Sequence, residues 1–380
     1  MTRRGPQAGQ SPEQRAEELK RRHVEARRRR TRRRRTWVGV AATAIVLAVV
    51  AGVVTARALG PWGSGRGPAA SAATRPAASS SAPSADAGEA AAPTEKATPT
   101  PRSTPEPAPT PKPRFVVSRA LSDVRALEDS GVRSAGGGAE KRGAAFIAGR
   151  LVAAGAQPET RTFRLPNGKT SRNVVARFPG STRKTIILGA HMDSKAPSPG
   201  ANDNGSGCGA LLEIARGLGR RHAYPTVELV FFGAEEMIDA DPDHHHFGSR
   251  YHVKDMSAGA RKNAAGMISV DMIGYGPHFV VRTMGNGPQS LRRLLLRQAR
   301  QRGIRMPYLR DPGESGWSDH EAFELAGIPA AWIEWRDDPV YHTAADTSGH
   351  LVAAKVRTAG QFVLGVLYGL DAAALERLAR

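Results

Sequence analysis

The sequence predicts one α/β domain, a central mixed and mostly parallel β-sheet flanked by helices, set behind one transmembrane helix and a disordered linker. Three observations carry this. From residue 115 onward, apolar runs of strand length alternate with amphipathic stretches of helical period, the pattern of a sheet covered by helices. Residues 37–56 carry no charge, and an apolar helix of ~20 residues spans a bilayer. Residues 61–114 are dominated by Pro, Ala, Ser and Thr, with too little apolar mass to offset the entropy of ordering. The chain thus divides into a basic cytoplasmic tail (1–36), a signal-anchor helix (37–59), a linker (60–114) and a folded domain (115–380).

The formal net charge of +20 is unevenly spread. Residues 1–36 hold fourteen Lys and Arg against four Glu, while residues 115–380 account for only +7. An Arg27 to Arg35 cluster beside an apolar span marks the cytoplasmic side. It reads as a topology signal, and no nucleic-acid partner is expected. This orientation places the folded domain outside the cell, tied to the membrane through one amino-terminal helix. Arg34-Arg35-Thr-Trp-Val also resembles a twin-arginine export signal, and Ala56-Arg57-Ala58 fits a small-x-small cleavage site, so secretion after cleavage near Ala58 is the alternative. The apolar stretch exceeds the ~7–15 residues of a signal core, which favours a retained anchor. The single cysteine, Cys208, excludes an intramolecular disulfide and reads as a small buried apolar residue.

Within the folded domain, Leu121 to Leu127 and Ala139 to Ala154 have helical period. Asn173 to Phe178 and Thr185 to Ala190 read as strands, Ala210 to Leu218 as a helix and Val227 to Gly233 as a strand. Gly266 to Asp271 and His278 to Arg282 read as strands, and Gln289 to Arg302 as a basic helix. Glu321 to Ala326 is a short helix, Ala330 to Glu334 a strand and Leu351 to Leu370 a closing helix.

The chemistry-bearing residues fall at the carboxyl ends of these strands, where open α/β sheets place their sites. His191 ends the Thr185 run, and Asp203 follows in Gly200-Ala-Asn-Asp203-Asn-Gly-Ser-Gly. Glu235-Glu236, Asp271 and His342 end or follow other strands. Asp193, two residues beyond His191, returns to the same face of an extended chain and could fix the imidazole tautomer. Nitrogen and oxygen donors without thiolate suit zinc. Two imidazoles and three carboxylates exceed one ion's needs and suit a pair sharing a carboxylate, the pattern of two-metal hydrolases. Of the adjacent pair Glu235-Glu236, one can ligate while the other serves as general base.

The segments Gly189-Ala-His191-Met-Asp193-Ser, Gly200 to Gly207, Phe232-Gly-Ala-Glu235-Glu236, Gly248-Ser-Arg, Val270-Asp271-Met, Ser318-Asp319-His320 and Tyr341-His342-Thr together resemble the co-catalytic zinc exopeptidase family, which includes aminopeptidase Y and bacterial leucyl aminopeptidases. The resemblance spans about residues 117–370. It implies two zinc ions per chain: His191 and Asp271 on one, Glu236 and His342 on the other, Asp203 bridging. It implies Glu235 as the base toward the attacking water and then the acid toward the leaving amine, with Asp193 orienting His191 and Tyr341 donating to the oxyanion. It also implies a cis peptide at Asp203–Asn204, supporting places for Asp319 and His320, and a peptide substrate cut at its amino terminus. The stretch Ile238 to Phe247 is longer than the simplest members carry and is expected at the pocket rim, with His244 to His246 in a solvated loop. Glutaminyl cyclases, single-zinc acyltransferases of related fold, are the nearest alternative. They carry Trp before the last histidine ligand, where this chain has Tyr341. A non-catalytic binding ectodomain is the rival of another class, and it predicts lost ligands where all are present.

Overall fold

In a computed structural model, residues 113–241, 243–313 and 315–378 are described; the expected tail, anchor and most of the linker lie outside them. The described strands are β1 (Glu159–Arg164), β2 (Thr170–Phe178), β3 (Thr182–His191), β4 (Pro225–Phe232), β5 (Ala264–Val270), β6 (His278–Thr283), β7 (Tyr308–Arg310) and β8 (Ala330–Arg336). They form one eight-stranded sheet in the order β1-β2-β4-β3-β5-β8-β6-β7. The inner four, β4-β3-β5-β8, run parallel. The flanks mix directions, with β2 antiparallel to both β1 and β4, β6 antiparallel to β8, and β7 parallel to β6. This is the mixed sheet the sequence predicts.

The inner strands are near-continuous apolar runs because both of their faces are covered. Successive side chains point to opposite faces. Ile186 and Leu188 of β3, Leu229 of β4 and Ile268 of β5 join one core with Leu127, Ile147, Leu211 and Val363. Those four belong to α1 (Val117–Glu128), α2 (Gly138–Ala153), α3 (Ser206–Arg220) and, beyond the strands, the helix Ala353–Leu367. Ile187, Val230 and Met267 face the other way, toward Val253 and Phe323. Val253 belongs to α4 (Phe247–Asp255) and Phe323 to α7 (His320–Leu325), with α5 (Ala258–Asn263) and α6 (Ser290–Gln301) between them in sequence. The chain closes with α8 (Ala353–Leu367) and α9 (Ala372–Leu378).

β1, β7, α4, α5 and α9 were not legible in the sequence. β1 reads Glu-Thr-Arg-Thr-Phe-Arg, an edge strand with one buried side chain, so it offers little apolar alternation. β7 has three residues, and α4 is dominated by polar and charged residues that pack on the sheet only in part. The predicted closing helix over 351–370 is shorter in the structure, Ala353–Leu367.

Among the described residues no single helix is long and apolar enough to cross a membrane. The chain runs from β3 to β4 on one side and then to β5 on the other, so the strand order reverses at β3. Ligand crevices of open α/β sheets lie at such a point, outside the carboxyl ends of the strands.

Candidate metal centre

All four inner strands deliver donors to that crevice. His191 is the last residue of β3, Glu235 and Glu236 follow β4, Asp271 follows β5, and the turn after β8 carries Tyr341 and His342. Asp203 comes from an irregular turn, Ala201–Gly205, between β3 and α3. The peptide after it, Asp203–Asn204, is cis. The amide of Asn204 ties the turn to β5, donating to the Val270 carbonyl at 3.0 Å and accepting from the Gly207 N–H at 2.9 Å. At Gly207 a Cβ would lie 2.1 Å from the Val270 carbonyl oxygen, so only glycine lets α3 begin this close to β5.

The two oxygens of Asp203 address two different imidazoles. Oδ1 lies 3.1 Å from His191 Nε2, and Oδ2 lies 3.1 Å from His342 Nε2. Asp271 Oδ1 is 3.5 Å from His191 Nε2, and Glu236 Oε1 is 2.8 Å from His342 Nε2. The donor atoms of His191, Glu235 and Asp271 all lie within 4.8 Å of one another, and so do those of Asp203, Glu236 and His342. The five expected ligands are therefore brought together, with Asp203 between the two groups.

The donors fit cations. Asp203 Oδ2 and Asp271 Oδ1 are buried without a hydrogen bond, acceptors aimed into the crevice. Burial alone would lower the imidazole pKa values. The surrounding carboxylates outweigh it, raising His191 well above its ordinary value and pushing His342 up to about 10. Burial likewise disfavours charged Asp203, yet His191 and His342 hold its pKa below the usual carboxylate range. Without a cation the crevice thus draws protons onto its imidazoles. The Nδ1 of His191 faces the Asp193 carbonyl at 3.2 Å; donation there leaves Nε2 free to ligate.

Four supporting residues extend the sequence reading. The Asp193 carboxylate stands 3.6 Å from His191 Nδ1, but its hydrogen bonds go to the backbone N–H groups of Glu235 (3.1 Å) and Glu236 (3.2 Å). It holds the Glu-Glu pair as well as facing the histidine, which its own carbonyl also meets. Ser318, earlier only a motif neighbour, donates to Asp271 Oδ2 at 2.7 Å. His320 instead joins a buried network, 2.9 Å from Asp311, which pairs with Arg282 at 2.8 Å. Asp346 accepts from the N–H groups of Asn202 (2.6 Å) and Asp203 (3.2 Å), fixing the bridging turn.

The His244–His246 expectation divides. His244 is part-exposed and pairs with Asp239 at 2.7 Å, as a solvated loop would allow. His246 is 3% exposed, and its Nε2 lies 2.8 Å from Glu235 Oε1. The run of three histidines was its only signal, and side-chain burial cannot be read from a run. His245, His246 and Glu321 also converge as a third group of donors, but the Arg250 guanidinium already occupies it, 2.7 Å from Glu321 Oε1 and 3.3 Å from His245 Nε2. Tyr341 stacks on His342, ring centroids 3.7 Å apart. A cavity of about 220 Å³ adjoins Glu236, lined among others by Lys169, Lys195, Met237 and Ile238, so the inserted stretch does reach the rim.

A mixed α/β sheet here gathers histidines and carboxylates at the carboxyl ends of its parallel strands, a nitrogen and oxygen donor set that suits a metal centre. Peptidase family M28 matches residues 173–367, just over half of the sequence, and the chain belongs to that family. It is 32% identical over 213 residues to leupeptin-inactivating enzyme 1 of Streptomyces exfoliatus, covering 55% of this chain and 45% of that enzyme. The chain spans about half the length of the curated relatives it matches. Its fold is similar to that of BSAP, a zinc aminopeptidase from Bacillus subtilis (TM-score 0.61, 20% identity, 68% of this chain and 95% of that one). It is equally similar to a glutaminyl cyclase from Bacteroides thetaiotaomicron (TM-score 0.61, 24% identity, 69% and 100%).

Proposed function

We propose that the protein is a zinc-dependent exopeptidase, an aminopeptidase holding two zinc ions per chain and removing residues from the amino termini of peptides. One observation carries the reading: the two oxygens of buried Asp203 face two separate imidazoles, each with a further carboxylate beside it. His191 and Asp271 would hold one ion, Glu236 and His342 the other, and Asp203 both. Zinc bound there supplies Lewis acidity toward the scissile carbonyl and a water that is nucleophilic near neutral pH.

The chain's own residues do the rest. Glu235 takes the proton of the attacking water as its oxygen bonds to the carbonyl carbon, then returns it to the amine nitrogen as the C–N bond breaks. Burial raises the Glu235 pKa, which suits both halves of that transfer. The Tyr341 phenol, held protonated by burial and by Asp203 and Glu236, keeps a proton to donate, and it stabilises the developing oxyanion. The Glu235 and Asp271 carboxylates also offer a counter-charge to a free amino group.

Glutaminyl cyclase chemistry uses the same fold and is the second reading. Asp271, aimed at the crevice beside His191, gives a second ion a place and favours the two-metal hydrolase. The reading also includes an extracellular catalytic part anchored by residues 37–59, supported by the uncharged run 37–56 and the arginines before it. The test counts zinc per chain and compares aminoacyl anilides, amino-blocked peptides and an amino-terminal glutaminyl peptide. Two zincs and cleavage of free-amine substrates alone are expected. Equal cutting of blocked peptides would overturn the aminopeptidase reading, and one zinc with cyclisation of glutamine would establish the cyclase. Glu235→Gln is expected to keep its zinc and to lose turnover.

A further inference from the structure

We propose that His246 is a positioning residue for Glu235, holding one carboxylate oxygen so that the other faces the reacting centre. The inference deepens the peptidase reading and rests on Glu235 acting as the base.

The backbone brings His246 there by a short ladder. The His246 N–H donates to the Glu235 carbonyl at 2.8 Å, and the Phe247 N–H donates to the Ala234 carbonyl at 2.8 Å. This joins the far end of the 238–247 stretch to the residues that follow β4. His246 adopts a left-handed backbone, φ 53°, a conformation disfavoured for a non-glycine residue and kept only where its surroundings fix it. Here the left-handed turn starts α4 and swings the imidazole back beneath Glu235.

The imidazole then divides the two oxygens of Glu235. Oε1 is 2.8 Å from His246 Nε2, while Oε2 lies on the opposite side, 3.9 Å from His191 Nε2. On the far side of the ring, Nδ1 is 3.5 Å from Glu321 Oε2, and Glu321 Oε1 accepts from Arg250 at 2.7 Å. Arg250 in turn donates to the Asp243 carbonyl at 2.8 Å, within the same inserted stretch. Glu235, His246 and Glu321 are all buried. Arg250 and Glu321 thus back the far side of the ring, so the imidazole is held from both sides. A glutamate has three side-chain torsions, and a base must lie within hydrogen-bond reach of the proton it takes. Fixing Oε1 removes that freedom where Oε2 must act. The inserted stretch therefore has a role beyond the pocket rim: it supplies the residue that orients the base.

The test uses the full chain and three substitutions. His246→Phe keeps ring volume and removes the donor, His246→Gln keeps a donor, and Glu235→Gln removes the acceptor. Cleavage of an aminoacyl anilide, zinc per chain, and the ¹⁵N imidazole resonances of His246 in zinc-free protein are measured. Outer partners of catalytic groups typically change activity 10–100-fold, so His246→Phe is expected to lower kcat by about that factor with KM within about threefold and zinc content unchanged. His246→Gln is expected to recover part of the loss. The Nε2 resonance of His246 is expected to shift in Glu235→Gln, a readout that needs neither metal nor turnover, nor a folded His246 variant. A His246→Phe enzyme with unaltered kcat, a variant that loses zinc, or an Nε2 resonance indifferent to Glu235→Gln would each overturn the positioning role. A wild-type protein that cleaves no amino-terminal residue would instead overturn the reading beneath it.

Discussion

Buried carboxyl groups in this protein are sorted by what meets them. Those at the crevice meet imidazoles and one another, whereas Glu140 meets only neutral donors. It lies in the first turn of α2, accepting from the Ser171 hydroxyl and from the Gly136 N–H at 3.0 Å, with no solvent exposure. Burial, against those two hydrogen bonds, pushes its pKa up to about 7. Its proton is therefore held more tightly in the folded chain than in the unfolded one. Linkage fixes the sign: the stabilising preference is complete below about pH 4.5, declines as pH rises, and is gone above about pH 7. At ~1.4 kcal/mol per pKa unit the cost of ionising Glu140 in place approaches roughly 3 kcal/mol. Glu140→Gln keeps an acceptor for the Gly136 N–H and, without the charge, turns an amide N–H toward the Ser171 hydroxyl oxygen, reversing that hydrogen bond. The variant is expected to match the wild type in urea denaturation at pH 5 and to exceed it by up to about 3 kcal/mol at pH 8. A gain that is the same at both pH values would show that Glu140 is not the titrating group.

At the scale of elements, strands built from continuous apolar runs were legible, and so were the loops after them, because a strand end followed by glycine and a carboxylate leaves a local trace. His191, Asp203, Glu236, Asp271 and His342 could be placed this way, and the structure gathers them. What holds the loops was not legible, because those contacts join residues far apart in sequence. Arg133, in the α1–α2 connection, is fully buried. Its guanidinium donates to the carbonyls of Met192 (2.7 Å), Leu127 (3.2 Å), Pro199 (2.7 Å) and Gly200 (2.8 Å). Its backbone N–H donates to Ser194 Oγ at 2.9 Å, so one residue laces the loop between His191 and Asp203. In the sequence Arg133 is one basic residue among many, and nothing marks it. Arg133→Met would leave buried carbonyls without donors, each costing about 1–3 kcal/mol. A loss of at least about 3 kcal/mol in the urea transition is expected. Arg133→Lys should fall between, since a point charge cannot reach a fan of acceptors. A loss under about 1 kcal/mol would mean that water replaces the guanidinium.

At the scale of the molecule, charge is arranged in opposition. The chain from residue 115 onward is net positive, yet Asp193, Asp203, Glu235, Glu236, Asp271 and Asp319 are buried around one crevice. Carboxylates so placed repel one another in a medium that screens poorly. The raised pKa of His191 and of His342, up to about 10, records how the crevice meets this without metal. Such compensation is partial, since Asp271 Oδ1 and Asp203 Oδ2 still lack hydrogen bonds. Nothing covalent offsets it: Cys208 is the only cysteine, its thiol buried against the His191 carbonyl and pushed up to about 12 by that burial. The folded state should therefore depend on cations and be indifferent to thiol reagents. An ion present at a hundredfold excess over its Kd stabilises the state that binds it by about 3 kcal/mol, a shift on the order of 10 °C in Tm for a domain of this size. Chelation is expected to lower Tm by that order and added zinc to restore it, while a mild reductant leaves it in place. A melting curve unmoved by chelator would mean that the crevice is already at rest without ions, and the two-metal reading would lose its physical basis.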